Sequence, residues 1–282
     1  MGTDRRIVPV DFPDKCDLPL NGGKRSSTIA LSMTTTDPVC VGDALILAAG
    51  RGTRMKGLTE DLPKPMLRVA GRPLLEHIVL ALRGAGIGRF VIVTGYRSDR
   101  IEQYFGDGSR LGVEIVYRRQ DVRDGTARAL LLGRDSIGDR PFVLAWGDIL
   151  VEPSNYSTLL STFRERRSDG LLGVNWVEDP CRGAAVYVDA ENRIERIVEK
   201  PPPGTAQTHW NNAGIAVFRS VVFAYASAVK RSPRGEYEIP DAISAMVAAG
   251  LAIFALPLRG FWSDVGTPED LKRAEELLGR DS

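Results

Sequence analysis

Residues 45–75 read LILAAGRGTRMKGLTEDLPKPMLRVAGRPLL. The opening run is apolar at every position, which suits a strand buried on both faces of a parallel sheet. Gly50 breaks it into a turn that carries Arg51, Gly52, Thr53 and Arg54. Further on, Lys64 lies between Pro63 and Pro65. The two prolines restrict the backbone on both sides and predict a lysine held in an extended segment. Glycines let backbone N–H groups come close to a ligand, and cations reward a highly charged anion. The anion that fits is a polyphosphate, which points to an enzyme acting on nucleoside triphosphates.

Working outward, apolar runs alternate with amphipathic ones. ALILAAG, RFVIVTGY, VEIVYRRQ and PFVLAWGDIL read as buried strands. Helical patterns lie between and after them near 73–84, 98–105, 126–136 and 155–167. This order predicts an α/β fold of three layers, with a mostly parallel central sheet and helices on both faces. The second half is less regular. GLLGVNWV, GAAVYVD and RIERIVEKP read as strands, the last two as a hairpin turning at 189–192. NAGIAVF, helices near 221–229 and 240–249, and the strand LAIFALPL follow. In the closing helix Thr267 suits the N-cap, Pro268 the first turn, and Asp270 completes a capping box. Residues 43–282 therefore read as one domain with an inserted antiparallel portion, and no internal repeat is visible. Residues 1–42, proline-bearing, polar and without periodicity, read as a disordered extension in which Met33 offers an alternative start.

Bulk composition narrows the function. The chain has 282 residues, with 37 basic against 36 acidic and a formal net charge of +1. That balance argues against nucleic acid or an anionic membrane as the main partner while permitting a local basic pocket. No run approaches the length of a membrane span, and the N-terminus lacks a signal peptide's apolar stretch, so the cytoplasm is the expected location. Cys16, Cys40 and Cys181 are too scattered for a metal or redox motif.

Ligands of open α/β sheets bind beyond the carboxyl ends of the strands, where the 49–55 turn falls. Met55 stands where a P-loop needs its second glycine and where a dinucleotide fingerprint needs its third, so both motifs fail. A nicotinamide dehydrogenase is thereby disfavoured. What remains can wrap phosphates with backbone donors, while Arg54 clamps phosphate oxygens and Lys64 supplies a point charge. By position alone, Asp148 reads equally as a turn aspartate and Asp264 as a helix-entry aspartate. Glu199 and Lys200, just before three prolines, read as a solvated strand end.

The ordered set LAAGRGTRM…LPKPML, Gly106-Asp107-Gly108-Ser109, Asp124-Gly125-Thr126-Ala127, Gly147-Asp148, Val198-Glu199-Lys200-Pro201, Asn212-Ala213-Gly214 and Asp264-Val265-Gly266 resembles the sugar-1-phosphate nucleotidylyltransferases. The resemblance spans roughly residues 44–281. It implies a Rossmann-like nucleotidyltransferase fold whose antiparallel portion binds sugar. The substrates it implies are a nucleoside triphosphate and a sugar 1-phosphate. It further implies catalytic Arg54 and Lys64, nucleotide contacts from Ala49, Gly50, Gly52, Thr53, Gln120 and Gly125, and Mg²⁺ held by Asp148 and Asp264. Gly183, Glu199, Lys200 and Asn212 would bind the sugar phosphate. A homo-oligomer is an expectation of the same kind.

The attacking phosphate oxygen is already ionised near pH 7, because its second pKa is about 6. No general base is needed, and neither His77 nor His209 falls in a motif. UTP or dTTP with a hexose 1-phosphate is the default. GTP with a mannose-type acceptor, a non-sugar phosphate acceptor, and a silent regulatory homologue are the alternatives. Arg128 and Arg182 depart from the pattern and bear on acceptor choice, or are merely solvated.

Overall fold

The structure, a computed structural model, describes residues 40–279. The extension expected over residues 1–42 therefore lies outside the described residues as far as residue 39. Val41 already packs into the core, and the Gly42 carbonyl accepts from the Gly88 and Arg89 amides at 3.1 and 3.2 Å.

Strand β1 (Asp43–Ala48) is buried along its whole length. A short hairpin, β2 (Arg68–Val69) with β3 (Arg72–Pro73), leads into α1 (Leu74–Gly84). Then come β4 (Arg89–Thr94), α2 (Ser98–Phe105), β5 (Glu114–Arg119), α3 (Thr126–Leu132), α4 (Arg134–Ile137) and β6 (Phe142–Trp146). The second half holds β7 (Ile149–Val151), α5 (Ser154–Arg166), β8 (Gly170–Trp176), and the hairpin of β9 (Ala184–Val188) and β10 (Ile194–Glu199). It closes with β11 (Trp210–Phe218), α6 (Val222–Ala228), α7 (Ile239–Ala248), β12 (Ile253–Pro257), β13 (Trp262–Asp264) and α8 (Pro268–Leu278).

The main sheet runs β10-β9-β11-β6-β1-β4-β5, with β8 beside β11 and β12 beside β8. β1 is parallel to β4 and β6, β4 to β5, and β12 to β8, so only β10 and β11 run against the rest. The period-two alternation of β1 divides the core. Ala44, Ile46 and Ala48 face the cluster built with α1, α2, α5 and α8. Leu45 and Leu47 face the cluster built with α3, α6 and α7. Each buried aliphatic side chain contributes about 1.5–3 kcal/mol, so a one-residue slip that swapped the faces would be heavily penalised. The expected three-layer α/β fold with a mostly parallel sheet is what forms.

Three local readings need correction. The single helix expected over 126–136 is two, α3 and α4, because the chain must pass close to β1 at Gly133. Any Cβ there would strike the Leu45 methyls. The strand expected over 141–150 stops at Trp146. Gly147 donates to the Leu47 carbonyl at 2.9 Å and turns the chain, and β7 leaves the main sheet to pair with β13. Lys64 opens a one-turn 3₁₀ helix, Lys64–Met66, rather than lying in an extended segment; only its flanks Pro63 and Leu67 are extended. The Met66 amide closes on Pro63 at 2.8 Å and the Leu67 amide on Lys64 at 3.0 Å. The closing helix has the expected capping box, Thr267 and Asp270 each bonding the other's backbone.

Candidate active site

The glycine turn with its two arginines grows from the carboxyl end of β1. Gly52 is left-handed, with φ 68, and starts a 3₁₀ segment, Thr53–Thr59. Its carbonyl accepts from the Met55 amide at 2.9 Å and from the Thr59 hydroxyl at 3.0 Å. A Cβ at Gly52 would sit 2.9 Å from the Lys64 Cβ, so this position needs glycine for conformation and for space. Pressed into that gap, the Lys64 side chain is only 7% exposed. Its ammonium lies 2.6 Å from Asp148 Oδ2 and 3.4 Å from Asp264 Oδ1. Gly50, Gly52, Thr53, Arg54, Lys64 and Asp148 line one cavity of about 240 Å³.

The two aspartates meet through the β7–β13 ladder. Asp148 sits in the turn that precedes β7, and Asp264 ends β13 opposite Ile149. The Val265 amide donates to the Asp148 carbonyl at 3.1 Å. Burial and the neighbouring Asp148 charge push the Asp264 carboxyl above its ordinary range, against the pull of Lys64 and Arg54. Arg54 passes close over Gly266, where a Cβ would lie 3.2 Å from its Nη2. Three-residue strands carry no readable periodicity, so the ladder that joins these aspartates was invisible in the sequence.

Of the other residues expected to contact the nucleotide, Gln120 is buried; its backbone amide donates to Thr94 at 2.8 Å and its Nε2 to the Gly125 carbonyl at 3.2 Å. Gly125, at φ 125, is pressed on the Tyr237 backbone so closely that no side chain fits. The Tyr237 amide donates to Asp124 at 2.8 Å, and the Ala127 amide to Tyr237 at 2.9 Å. Ala49 backs against Gly95, just beyond β4. Arg128 stacks its guanidinium 4.2 Å from the Tyr237 ring centre and lies 4.0 Å from Asp124, so it buttresses this turn. Arg182 is exposed.

The residues expected to bind the sugar phosphate lie on the antiparallel strands and their ends. β11 bends between Asn212 and Ala216, with Gly214 at φ 74 and its amide donating to Asn212 Oδ1 at 3.2 Å. Beyond the bend β11 pairs with β6; before it, Asn211 pairs with Ala185 of β9. Gly183 lies directly against Asn211 Oδ1 and accepts from the Lys200 amide at 2.7 Å. Lys200 takes a left-handed φ of 42 at the end of β10. Glu199 and Lys200 open onto a second cavity of about 830 Å³ between β10, α6 and α7, which shares no lining residue with the first.

Sequence reasoning missed Arg234 and Glu238 on that cavity. Arg234 pairs with Glu199, Glu236 and Glu238 at 3.3, 3.3 and 3.1 Å. Their only signal was the charged hexapeptide Arg234-Gly235-Glu236-Tyr237-Glu238-Ile239 directly ahead of a helix. Neither histidine joins a site: His77 Nε2 bonds the Val69 carbonyl at 2.8 Å, and His209 Nδ1 meets the Val177 and Glu178 carbonyls. Among the described residues, no group of three or more His, Cys, Asp or Glu side chains could hold a metal, and no helix is long and apolar enough to cross a membrane.

Comparison with known proteins gives the family. The family described as nucleotidyl transferase matches residues 43–280. The chain is 37% identical over 240 residues to the UTP–glucose-1-phosphate uridylyltransferase AglF of Haloferax volcanii, covering 83% of this chain and 96% of that protein. It is 33% identical to the low-salt glycan biosynthesis nucleotidyltransferase Agl11 of the same organism, covering 84% of this chain and 66% of the relative. Against several other relatives the chain spans little more than half their length. A solved structure from Bacillus anthracis, described as a glucose-1-phosphate thymidylyltransferase in complex with a sucrose, superposes with a TM-score of 0.77 at 30% identity, covering 85% of this chain and 96% of that one.

Proposed function

We propose that this chain, which belongs to the nucleotidyl transferase family, transfers a nucleoside monophosphate from a nucleoside triphosphate to a sugar 1-phosphate and releases pyrophosphate. The observation that carries the reading is the meeting of Gly50, Gly52, Thr53, Arg54, Lys64 and Asp148 around one small cavity. A small cavity lined by a glycine turn and two cations suits a triphosphate; its one carboxylate, Asp148, is paired with Lys64, and this reaction needs no general base. Arg54 and Lys64 stabilise the departing pyrophosphate. Lys200 neutralises the attacking phosphate, while Glu199, Gly183 and Asn212 hold the sugar. Ala49, Gln120 and Gly125 seat the base. The task of the protein is to bring two anions together by neutralisation and alignment.

Asp148 and Asp264 present carboxylate oxygens to a common point, since one ammonium reaches both. Two carboxylates, with phosphate oxygens and water completing the shell, fit Mg²⁺, which binds few protein ligands and keeps the rest from its substrate. When bound there it would supply charge stabilisation at the reacting phosphates.

UTP with glucose 1-phosphate is the proposed pair, on the strength of the AglF likeness, with dTTP the second nucleotide on that of the Bacillus anthracis structure. The test is pyrophosphate release from ATP, GTP, CTP, UTP and dTTP against a panel of sugar 1-phosphates, with Mg²⁺. Release with UTP or dTTP and glucose 1-phosphate is expected. Absence of release with every pair would overturn the reading.

A further inference from the structure

Arg234 is the hub of the acceptor-side charges. Its Nη1 donates to Glu199 Oε1 at 3.3 Å, its Nη2 donates to Glu236 Oε2 at 3.3 Å, and Glu238 Oε1 lies 3.1 Å from that nitrogen. Glu238 is 3% exposed, so its charge cannot turn to solvent and fixes the guanidinium from beneath. The backbone that carries Arg234 is equally constrained. The Ser232 amide donates to Glu236 at 2.8 Å, Gly235 closes the turn at φ 81, and the Arg234 amide reaches the Ser232 hydroxyl at 3.3 Å. Three residues on, Tyr237 clasps the 124–127 turn through both its amide and its carbonyl, and the Ile239 amide donates to the Thr126 hydroxyl at 3.0 Å. Residues 232–239 thus touch the base-side turn at one end and the acceptor-side carboxylate at the other.

We propose that Arg234 is a positioning residue for the acceptor, holding the Glu199 carboxylate in the orientation in which it accepts hydrogen bonds from sugar hydroxyls. Through it, segment 232–239 sets the distance between the acceptor pocket and the base-side turn. The proposal rests on the reading of Glu199 as an acceptor contact.

The electrostatics give this role a sign. Glu199 is largely withdrawn from water, and its burial and the Glu238 charge push its carboxyl upward, while Lys200 and Arg234 pull it back. Glu236 completes the set held by Arg234, and Lys230, Arg231 and Asp241 line the same cavity. Only the ionised carboxylate offers all its lone pairs to hydroxyl donors. Loss of Arg234 therefore protonates Glu199 at higher pH, and loss of the Glu238 charge protonates it at lower pH.

The experiment is steady-state kinetics with UTP and glucose 1-phosphate, each varied in turn, from about pH 5.5 to 8.5. Comparing variants on one substrate cancels the ionisation of the sugar phosphate itself. Arg234→Gln is expected to raise KM for glucose 1-phosphate about tenfold, the scale of one hydrogen bond to a charged group, with KM for UTP changed less than about twofold. It should move the acid limb of kcat/KM for glucose 1-phosphate upward, and Arg234→Lys should restore much of both. Glu238→Gln should move that limb downward. An equal rise in both KM values, an unchanged acceptor KM, or limbs moving the same way in the two variants would overturn the proposal. If Arg234→Gln does not fold, the limb of Glu238→Gln decides, because failure to move down also overturns it. Glu199→Gln separates the premise: an unchanged acceptor KM there removes the acceptor reading itself, whereas a raised one with an inert Arg234 removes only the positioning role.

Discussion

On the proposed phosphate side, Gly50, Gly52, Arg54 and Lys64 come from one stretch of chain, and Lys64 meets two distant carboxylates, Asp148 and Asp264. On the proposed acceptor side, the Lys200 amide bonds Gly183 and Arg234 reaches Glu199 where the 232–239 segment folds back, while Gly183 and Asn212 stand off the cavity onto which Glu199 and Lys200 open. The charges are inverted as well. One buried ammonium is held by two carboxylates on the first side, and one half-exposed guanidinium by three on the second. The contrast teaches where rigidity resides. The first side is braced by backbone, a left-handed glycine and a 3₁₀ turn. The second also has a constrained backbone at 232–239, but its carboxylates are gathered by the half-exposed Arg234, whose ion pairs with Glu199 and Glu236 are individually weaker and easier to retune.

If that contrast holds, damage should fall hardest on the phosphate side. Lys64→Ala or Asp148→Asn should lower kcat by about 100-fold or more, the scale of one preorganised electrostatic contact, with circular dichroism unchanged. A kcat within a few-fold of the parent would break the comparison at its root. Next comes Gly52→Ala, whose methyl must push the Lys64 stem while adopting an unfavourable φ. A loss of about 10- to 100-fold in kcat is expected from misplacing Lys64, read with saturating substrates. Glu199→Gln should leave kcat largely intact and raise KM for glucose 1-phosphate about tenfold, as the loss of one charged hydrogen bond does. A larger kcat effect than that of Gly52→Ala would mean that the acceptor side is the more rigid half. The smallest change is expected of Arg128→Ala. It removes a half-exposed stacking contact on Tyr237 worth about 0.5–1 kcal/mol, so KM for UTP should rise only two- to five-fold or so.

Much of the first side was legible before any coordinates. An uninterrupted apolar run, a glycine turn with arginines and a proline-flanked lysine are local facts, and the chain uses them locally. The capping box at Thr267 and the β9–β10 hairpin were readable for the same reason. The β7–β13 ladder was not, because a three-residue strand has too few positions to show alternation. Nor was the break at Gly133, which answers to Leu45 from another element. Arg234 and Glu238 looked like ordinary charged residues ahead of a helix; their importance comes from a strand end thirty-odd residues away.

By itself, then, the sequence determined the layer architecture, the direction of most strands, and the gathering of glycines and cations in the 49–64 stretch. These follow from periodicity, backbone restriction and charge, which act between near neighbours along the chain. Tertiary structure alone decided that Lys64 stands between Asp148 and Asp264, that Arg128 braces Tyr237, and that one arginine gathers three glutamates beside the end of β10. Those contacts join residues far apart in sequence, and only the assembled sheet with its bent β11 brings them within reach of one another.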